Sequence, residues 1–301
     1  MQFAAHESFH IRDGWLRKGL LHIEQNPYLF SEEHAGDDLG VGRNMVSAIR
    51  YWLQATGLAV AVPEKAEGKR NLRFEATPLA GLIAQYDPYL EDEGTLWVLH
   101  YELATNFQQA TSWSWFFNRF GVRHFTQDLF LTHLQRFVEA GAKRKISPRS
   151  LEKDFRCFVR TYARTVEKTG NLSPEESFDC PLAALNLLEY LPKTKSYRLL
   201  VPHEESLPEL LVGYALVRMH VETPLTSNEV SFREALYGEG SPGRVFNLDP
   251  DTLYGHLLHL DEHEEKLVTF SRTAGLNLIT LQTRDPHEVL THYYRSLGGD
   301  A

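Results

Sequence analysis

Apolar residues recur at helical spacing along most of this chain, broken by two places where short apolar runs flank a polar tip. In the first half, Met45, Ile49, Trp52 and Leu53 mark the inner face of a helix, while Arg43, Ser47, Arg50 and Gln54 share another face. Gly40 and Gly42 suit a tight turn before it, and Gly57 suits its stop. Residues 58–62 and 71–76 then read as two short strands around the polar tip of residues 64–70, and Thr77-Pro78 supplies a capping residue and a first-turn proline for a further helix. Ser147-Pro148 starts another helix, with Leu151, Phe155, Phe158, Val159 and Tyr162 inside and Arg149, Lys153, Arg156 and Arg160 outside. Between these lies an aromatic-rich stretch, Leu96 to Glu102 and Ser112 to Phe120, expected as core, with Asn118 and Arg119 at the surface and His100 and Glu102 holding the packing. Helices are expected from Ser206-Leu207-Pro208 to Met219 and from Leu248-Asp249-Pro250 to Leu260, followed by a hairpin of 267–270 with 276–281.

The pattern predicts a mainly α protein: a winged helix-turn-helix module at the N-terminus, helical bundle regions, and a C-terminal winged-helix-like unit. The expected divisions are 1–86, 87–165 with the basic helix, and an acidic, mostly helical 166–301. The chain has 301 residues, enough for two or three cores. No run is long and apolar enough for a membrane span, and the start lacks the order of a signal peptide, so a cytoplasmic protein is expected. Two cysteines, Cys157 and Cys180, exclude a disulfide scaffold and a four-cysteine zinc site.

A formal charge of −9 argues at first against nucleic acid, but the charge is unevenly divided. Residues 165–301 hold 11 Lys/Arg against 21 Asp/Glu, leaving 20 against 19 before them. Residues 40–73 carry Arg43, Arg50, Lys65, Lys69, Arg70 and Arg73 against Glu64 and Glu67; residues 141–164 carry Lys143, Arg144, Lys145, Arg149, Lys153, Arg156, Arg160 and Arg164 against Glu152 and Asp154. Four cations on one helical face repel one another, so a phosphate backbone is a natural counterion. The expected contacts to double-stranded DNA are therefore these cations except Arg164, with Asn44 and Ser47 beside Arg43 and Arg50. The alternatives are a winged helix used for protein contacts and an ordinary solvated face. The acidic remainder, including Asp261-Glu262-His263-Glu264-Glu265, suits protein partners or solvation.

His6-Glu7-Ser8-Phe9-His10 satisfies H-E-x-x-H, the zinc-protease pattern, but Asp13-Gly14 soon interrupts any helix and no third ligand stands at a suitable later spacing. The segment also carries a different likeness. His6-Glu7-Ser8-Phe9, Arg12, Trp15-Leu16 and Lys18, followed by Leu39-Gly40-Val41-Gly42, Asn44-Met45-Val46 and Ile49 to Leu53, resembles the opening of the SspB family. Thr95-Leu96-Trp97 to His100, Trp115 to Asn118, Pro181-Leu182 and Ser241-Pro242-Gly243 extend the likeness along the chain. The resemblance implies a bacterial DNA phosphorothioation and antiviral defence system, in which the family nicks one DNA strand for sulfur incorporation. It also implies the company of a cysteine desulfurase, an ATPase and an ATP-pyrophosphatase-like protein.

The residue types allow a nicking endonuclease: His6, Glu7, Arg12 and Lys18 offer a base, a carboxylate and two cations, with Mg or Mn bound at Glu7. The other reading of the same residues is packing, with His6 and Glu7 bonded to backbone and Phe9 and Trp15 anchoring the terminus. Two further functions stay open: a non-catalytic DNA-binding or targeting subunit that recruits partner enzymes, and a transcriptional regulator. A homo-oligomer is compatible with all three.

Overall fold

The protein is described here by a computed structural model that covers residues 1–66, 69–142, 144–164, 180–221, 227–272 and 277–298; the side chains of 65–71 lie outside that description. Lys143 and the polar stretch 167–171 placed at the division near 165 fall outside the described residues.

Helices dominate. The first unit runs α1 (Trp15–Gln25), α2 (Ala35–Leu39), α3 (Arg43–Ala55), the antiparallel hairpin β1 (Ala59–Ala66) and β2 (Lys69–Ala76), and α4 (Pro78–Tyr86). The helix expected from Arg43, both strands and the helix after Thr77-Pro78 are thus all present, and the Thr77 hydroxyl accepts the Ala80 N–H as the cap of α4. The strands outrun the expectation: Glu64-Lys65 and Lys69-Arg70, expected in a polar tip, pair across the hairpin as part of the strands. Local alternation is weak there, so pairing of the backbone, not the side-chain pattern, extends the ladder. At Gly19 a Cβ would come within 2.8 Å of both Ile49 and Leu53, so the glycine sets the close approach of α1 to α3.

The middle of the chain is α5 (Glu93–Thr105), α6 (Thr111–Trp115) continuing as a π-helical turn over Phe116–Phe120, β3 (His124–Phe125), α7 (Gln127–Gly141) and α8 (Pro148–Tyr162). As expected, the aromatic stretch is core: Trp97, Trp113, Phe116, Phe117, Phe130, Phe155 and Phe158 are buried, with the Phe116 and Phe158 rings 4.4 Å apart. Asn118 is the exception to what the sequence predicts. It is buried, not at the surface, donating to the Ala104 and Ser114 carbonyls and accepting the Gly240 N–H. The π-helical turn rotates it inward and leaves only Arg119 exposed.

Beyond Cys180 come β4 (Leu188–Leu191), β5 (Ser196–Leu199), α9 (Glu209–Val221), β6 (Glu229–Ser231), α10 (Phe232–Tyr237), α11 (Pro242–Val245), α12 (Pro250–Glu262), β7 (Val268–Ser271), β8 (Leu278–Leu281) and α13 (Pro286–Leu297). The sheets are ordered β3-β5-β4 and β6-β8-β7. The helix and hairpin expected near the C-terminus are present as α12, β7 and β8; the β4–β5 hairpin and α13 were not foreseen. The α13 helix packs on α9 and α4, and its Tyr293 hydroxyl donates to Asp92 at 2.6 Å. The buried apolar residues form one cluster running from Ile11 to Tyr294. Among the described residues no helix is long and apolar enough to cross a membrane.

Candidate nucleic-acid interface

The N-terminal segment is the piece around which both basic helices pack. His6 is buried, its ring 5.8 Å from Tyr51 and 6.3 Å from Trp52 of α3 and 5.8 Å from Trp113 of α6. Its Nδ1 accepts the Ser8 N–H at 3.0 Å, which fixes the ring proton on Nε2, and Nε2 donates to Asp154 of α8 at 3.1 Å. Asp154 also accepts the Ala4 N–H at 2.6 Å and the Ser112 hydroxyl at 2.5 Å, so three donors satisfy one buried carboxylate. One step on, the Phe9 carbonyl accepts from both Trp52 Nε1 of α3 and Cys157 Sγ of α8.

A turn, not a helix, carries His6, and His10 follows it in irregular chain. Ala4, Glu7 and Ser8 all have positive φ, 56°, 51° and 71°. That backbone, unusual for non-glycine residues, is held by the bonds to Asp154 and His6, and it denies the one-turn helical spacing that H-E-x-x-H zinc binding needs. Glu7 is exposed on this turn. The Arg12 guanidinium lies 5.4 Å from the Phe9 ring and 5.2 Å from the Trp15 ring. Lys18 points elsewhere, its ammonium donating to the Leu39 carbonyl at the end of α2. The structure therefore brings His6 and Glu7 onto one turn with Arg12 at its exit, and leaves Lys18 on the joint between α1 and α2.

By composition Asp154 counts among the two acids of the second island. It is buried, so the island's outer face is more cationic than its composition suggests: Arg149, Arg156 and Arg160 are exposed, Lys153 is half-buried, and Glu152 pairs with Arg156 at 3.4 Å. Arg144 and Lys145 are exposed just before it. Cys157 and Cys180 are buried and unbridged; burial, then Asp154, pushes the Cys157 thiol up, which makes it inert rather than nucleophilic.

On α3, Arg43 and Asn44 are exposed and Ser47 and Arg50 half-buried. Arg43 and Arg50 have no ion pair among the described residues, whereas Arg73 of the hairpin is paired with Glu75. The backbone of Lys65, Lys69 and Arg70 lies in the hairpin strands. The sequence reading missed one feature: Arg43, Ser47 and Arg50 line a groove of about 690 Å³ that Glu32, Glu33 and Asp37 also line. These carboxylates come from a segment with no regular pattern, so only tertiary packing brings them to the same groove as the cations. Among the described residues no three His, Cys, Asp or Glu side chains converge as a metal cage.

Fold and site together define a mainly helical protein with two cationic helices joined through a buried His–Asp pair. Residues 3–294 match the family described as "Protein of unknown function (DUF4007)", and the chain belongs to that family. It is similar to a magnesium ion-bound SspB crystal structure, with a TM-score of 0.89 and 25% identity, over 99% of this chain and 89% of that one. A second SspB crystal structure gives a TM-score of 0.88 at 25% identity over the same shares. The SspB-like assignment expected from His6-Glu7-Ser8-Phe9 and its companions therefore stands. No curated protein matches the chain.

Proposed function

We propose that this protein is the DNA-contacting component of a DNA phosphorothioation and defence system, and that it nicks one strand at the turn carrying Glu7. The observation that carries the reading is the shared anchorage of α3 and α8: both expose cations outward, and both are fixed to the same N-terminal segment through His6 and the Phe9 carbonyl. In a winged-helix mode, α3 enters the major groove with Arg43, Asn44, Ser47 and Arg50. The hairpin with Lys65, Lys69, Arg70 and Arg73, and the α8 region with Lys143 to Arg160, hold the backbone. The similarity to SspB structures supports the same system, in which a cysteine desulfurase, an ATPase and an ATP-pyrophosphatase-like protein supply the sulfur, and the acidic C-terminal face is the side offered to them.

Glu7 is the group exposed for chemistry, while both ring nitrogens of His6 are engaged inside the protein, so His6 acts as a positioning residue for the turn. The similar SspB structure is magnesium ion-bound; such an ion at this turn would be held by Glu7 together with phosphate oxygens and water, a mode common for magnesium. When bound it supplies charge stabilisation at the phosphoryl group. Arg12 adds a cation at the end of the turn.

A second reading, a targeting subunit without nuclease chemistry, is favoured by the lone carboxylate and the occupied imidazole. Supercoiled plasmid with Mg or Mn separates them. Nicking by the wild type that is lost in Glu7→Ala, with DNA binding kept, supports the first reading. Binding without nicking in the wild type supports the second, and nicking that survives Glu7→Ala removes this turn as the site.

A further inference from the structure

A cavity of about 260 Å³ lies between the second half of α3, the hairpin and the N-terminal segment. Its floor is apolar, made by Ala5, Ala61, Leu72 and Phe74, and its rim is polar, made by Gln2, Gln54, Gln109 and Arg50. The backbone beneath the rim is held at three points, two of which share Asn106. The Gln2 N–H donates to Thr111, the Gln109 N–H donates to the Asn106 side chain, and that same Asn106 amide donates to the Gln54 and Ala55 carbonyls at the end of α3. Gln54 spends one amide hydrogen on the Arg50 carbonyl, while among the described residues the side chains of Gln2, Gln109 and Arg50 have no hydrogen-bond partner.

Amide groups offer both a donor and an acceptor, so three of them around an apolar floor match the edge and face of a heterocyclic base. The size agrees, since pockets for drug-sized ligands begin at about 300 Å³ and this one is smaller. The position agrees as well. Arg50 lines both this cavity and the groove along the outer face of α3, so a backbone phosphate at Arg50 has its base within reach of the cavity. We infer that the Gln2–Gln54–Gln109 cavity receives one nucleobase turned out of the duplex, read by the amide rim and packed against the exposed Leu72 side of the floor. This rests on the DNA-contacting reading and deepens it: unstacking one nucleotide opens the strand next to the turn that carries Glu7.

The test uses the full chain and a series of duplexes in which a fluorescent base analogue replaces each position in turn, with binding measured separately by anisotropy. At saturating wild-type protein, one position is expected to brighten several-fold as its base leaves the stack. Ala61→Phe, which fills the floor, is expected to abolish the brightening while leaving affinity within about threefold. Gln109→Ala, on a surface loop, is expected to weaken the brightening and serves where Ala61→Phe fails to fold. Binding with no brightening at any position, or brightening that survives both substitutions, overturns the cavity assignment and leaves the DNA reading standing. Absence of binding overturns both.

Discussion

Twice among the described residues an α-helix leads directly into an antiparallel hairpin, and the two copies commit their charges differently. In the first, α3 leads into β1–β2, and Arg43 and Arg50 have no ionic partner among the described residues. In the second, α12 leads into β7–β8, and the acids are partly committed inside the fold. Asp261 accepts the Phe270 N–H of its own hairpin at 2.8 Å, and Glu265 meets His292 of α13 at 3.0 Å. The C-terminal hairpin is also extended by a third strand, β6, whereas among the described residues β1 and β2 pair only with each other. In the first copy, among the described residues, only the hairpin's Arg73 is paired, with Glu75, so under the function proposed above the α3 cations are the charges kept for DNA, and charge commitment, more than topology, is what would separate an interface from a structural unit.

That contrast can be broken at several levels. The largest effect is expected from Asp154→Ala, which strands three buried donors and unfastens α8 from the N-terminal turn; a loss of roughly 3–5 kcal/mol in urea unfolding is expected, and a loss below about 1 kcal/mol would show that the buried pair does not join the helices. Next is His100, which links the two parts by bonding Tyr162 of α8 and the Val245 carbonyl of α11. Burial lowers its pKa from the ordinary 6.5 to about 4. The unfolded chain then takes up a proton that the folded one refuses, so stability is full above pH 6.5 and falls by about 3 kcal/mol as pH drops to 4; His100→Phe is expected to flatten the pH profile in that window.

Exchanging the two charge sets comes third. Arg43→Ala and Arg50→Ala are each expected to weaken DNA binding and lower its salt slope by about 1, with unfolding nearly unchanged. Asp261→Asn with Glu265→Gln is expected to do the reverse, losing about 1 kcal/mol of stability and no DNA affinity. The smallest effect belongs to the groove: Glu32→Gln with Glu33→Gln removes carboxylates that line the same groove as Arg43 and is expected to tighten binding by less than about 1 kcal/mol in filter titration.

Much of this was legible in the sequence where pattern and capping agree. Ser147-Pro148 begins α8, Thr77-Pro78 begins α4, and the Trp97 to Phe120 rings are core. What escaped reading was set by distant contacts. Asp154 sits among arginines in the chain, but its helical phase turns it toward His6, a partner 148 residues away. Asn118 lies next to Arg119 yet is turned inward by a π-helical turn that no periodicity announces. The turn at Glu7 needs left-handed backbone at three non-glycine residues, which local preference argues against and the Asp154 bonds impose. The glutamine rim joins residues 2, 54 and 109, so nothing in local spacing marks it.

The proposal that α3 and α8 both contact DNA is tested most directly by salt titration of binding to one duplex, comparing the wild type with the triple substitution Arg149→Ala, Lys153→Ala and Arg156→Ala. The wild type is expected to lose at least about 10³-fold in affinity between 50 and 200 mM salt, with the variant's slope shallower by about 3, one for each phosphate contact removed. A flat wild-type dependence, or identical slopes for the two proteins, would contradict it.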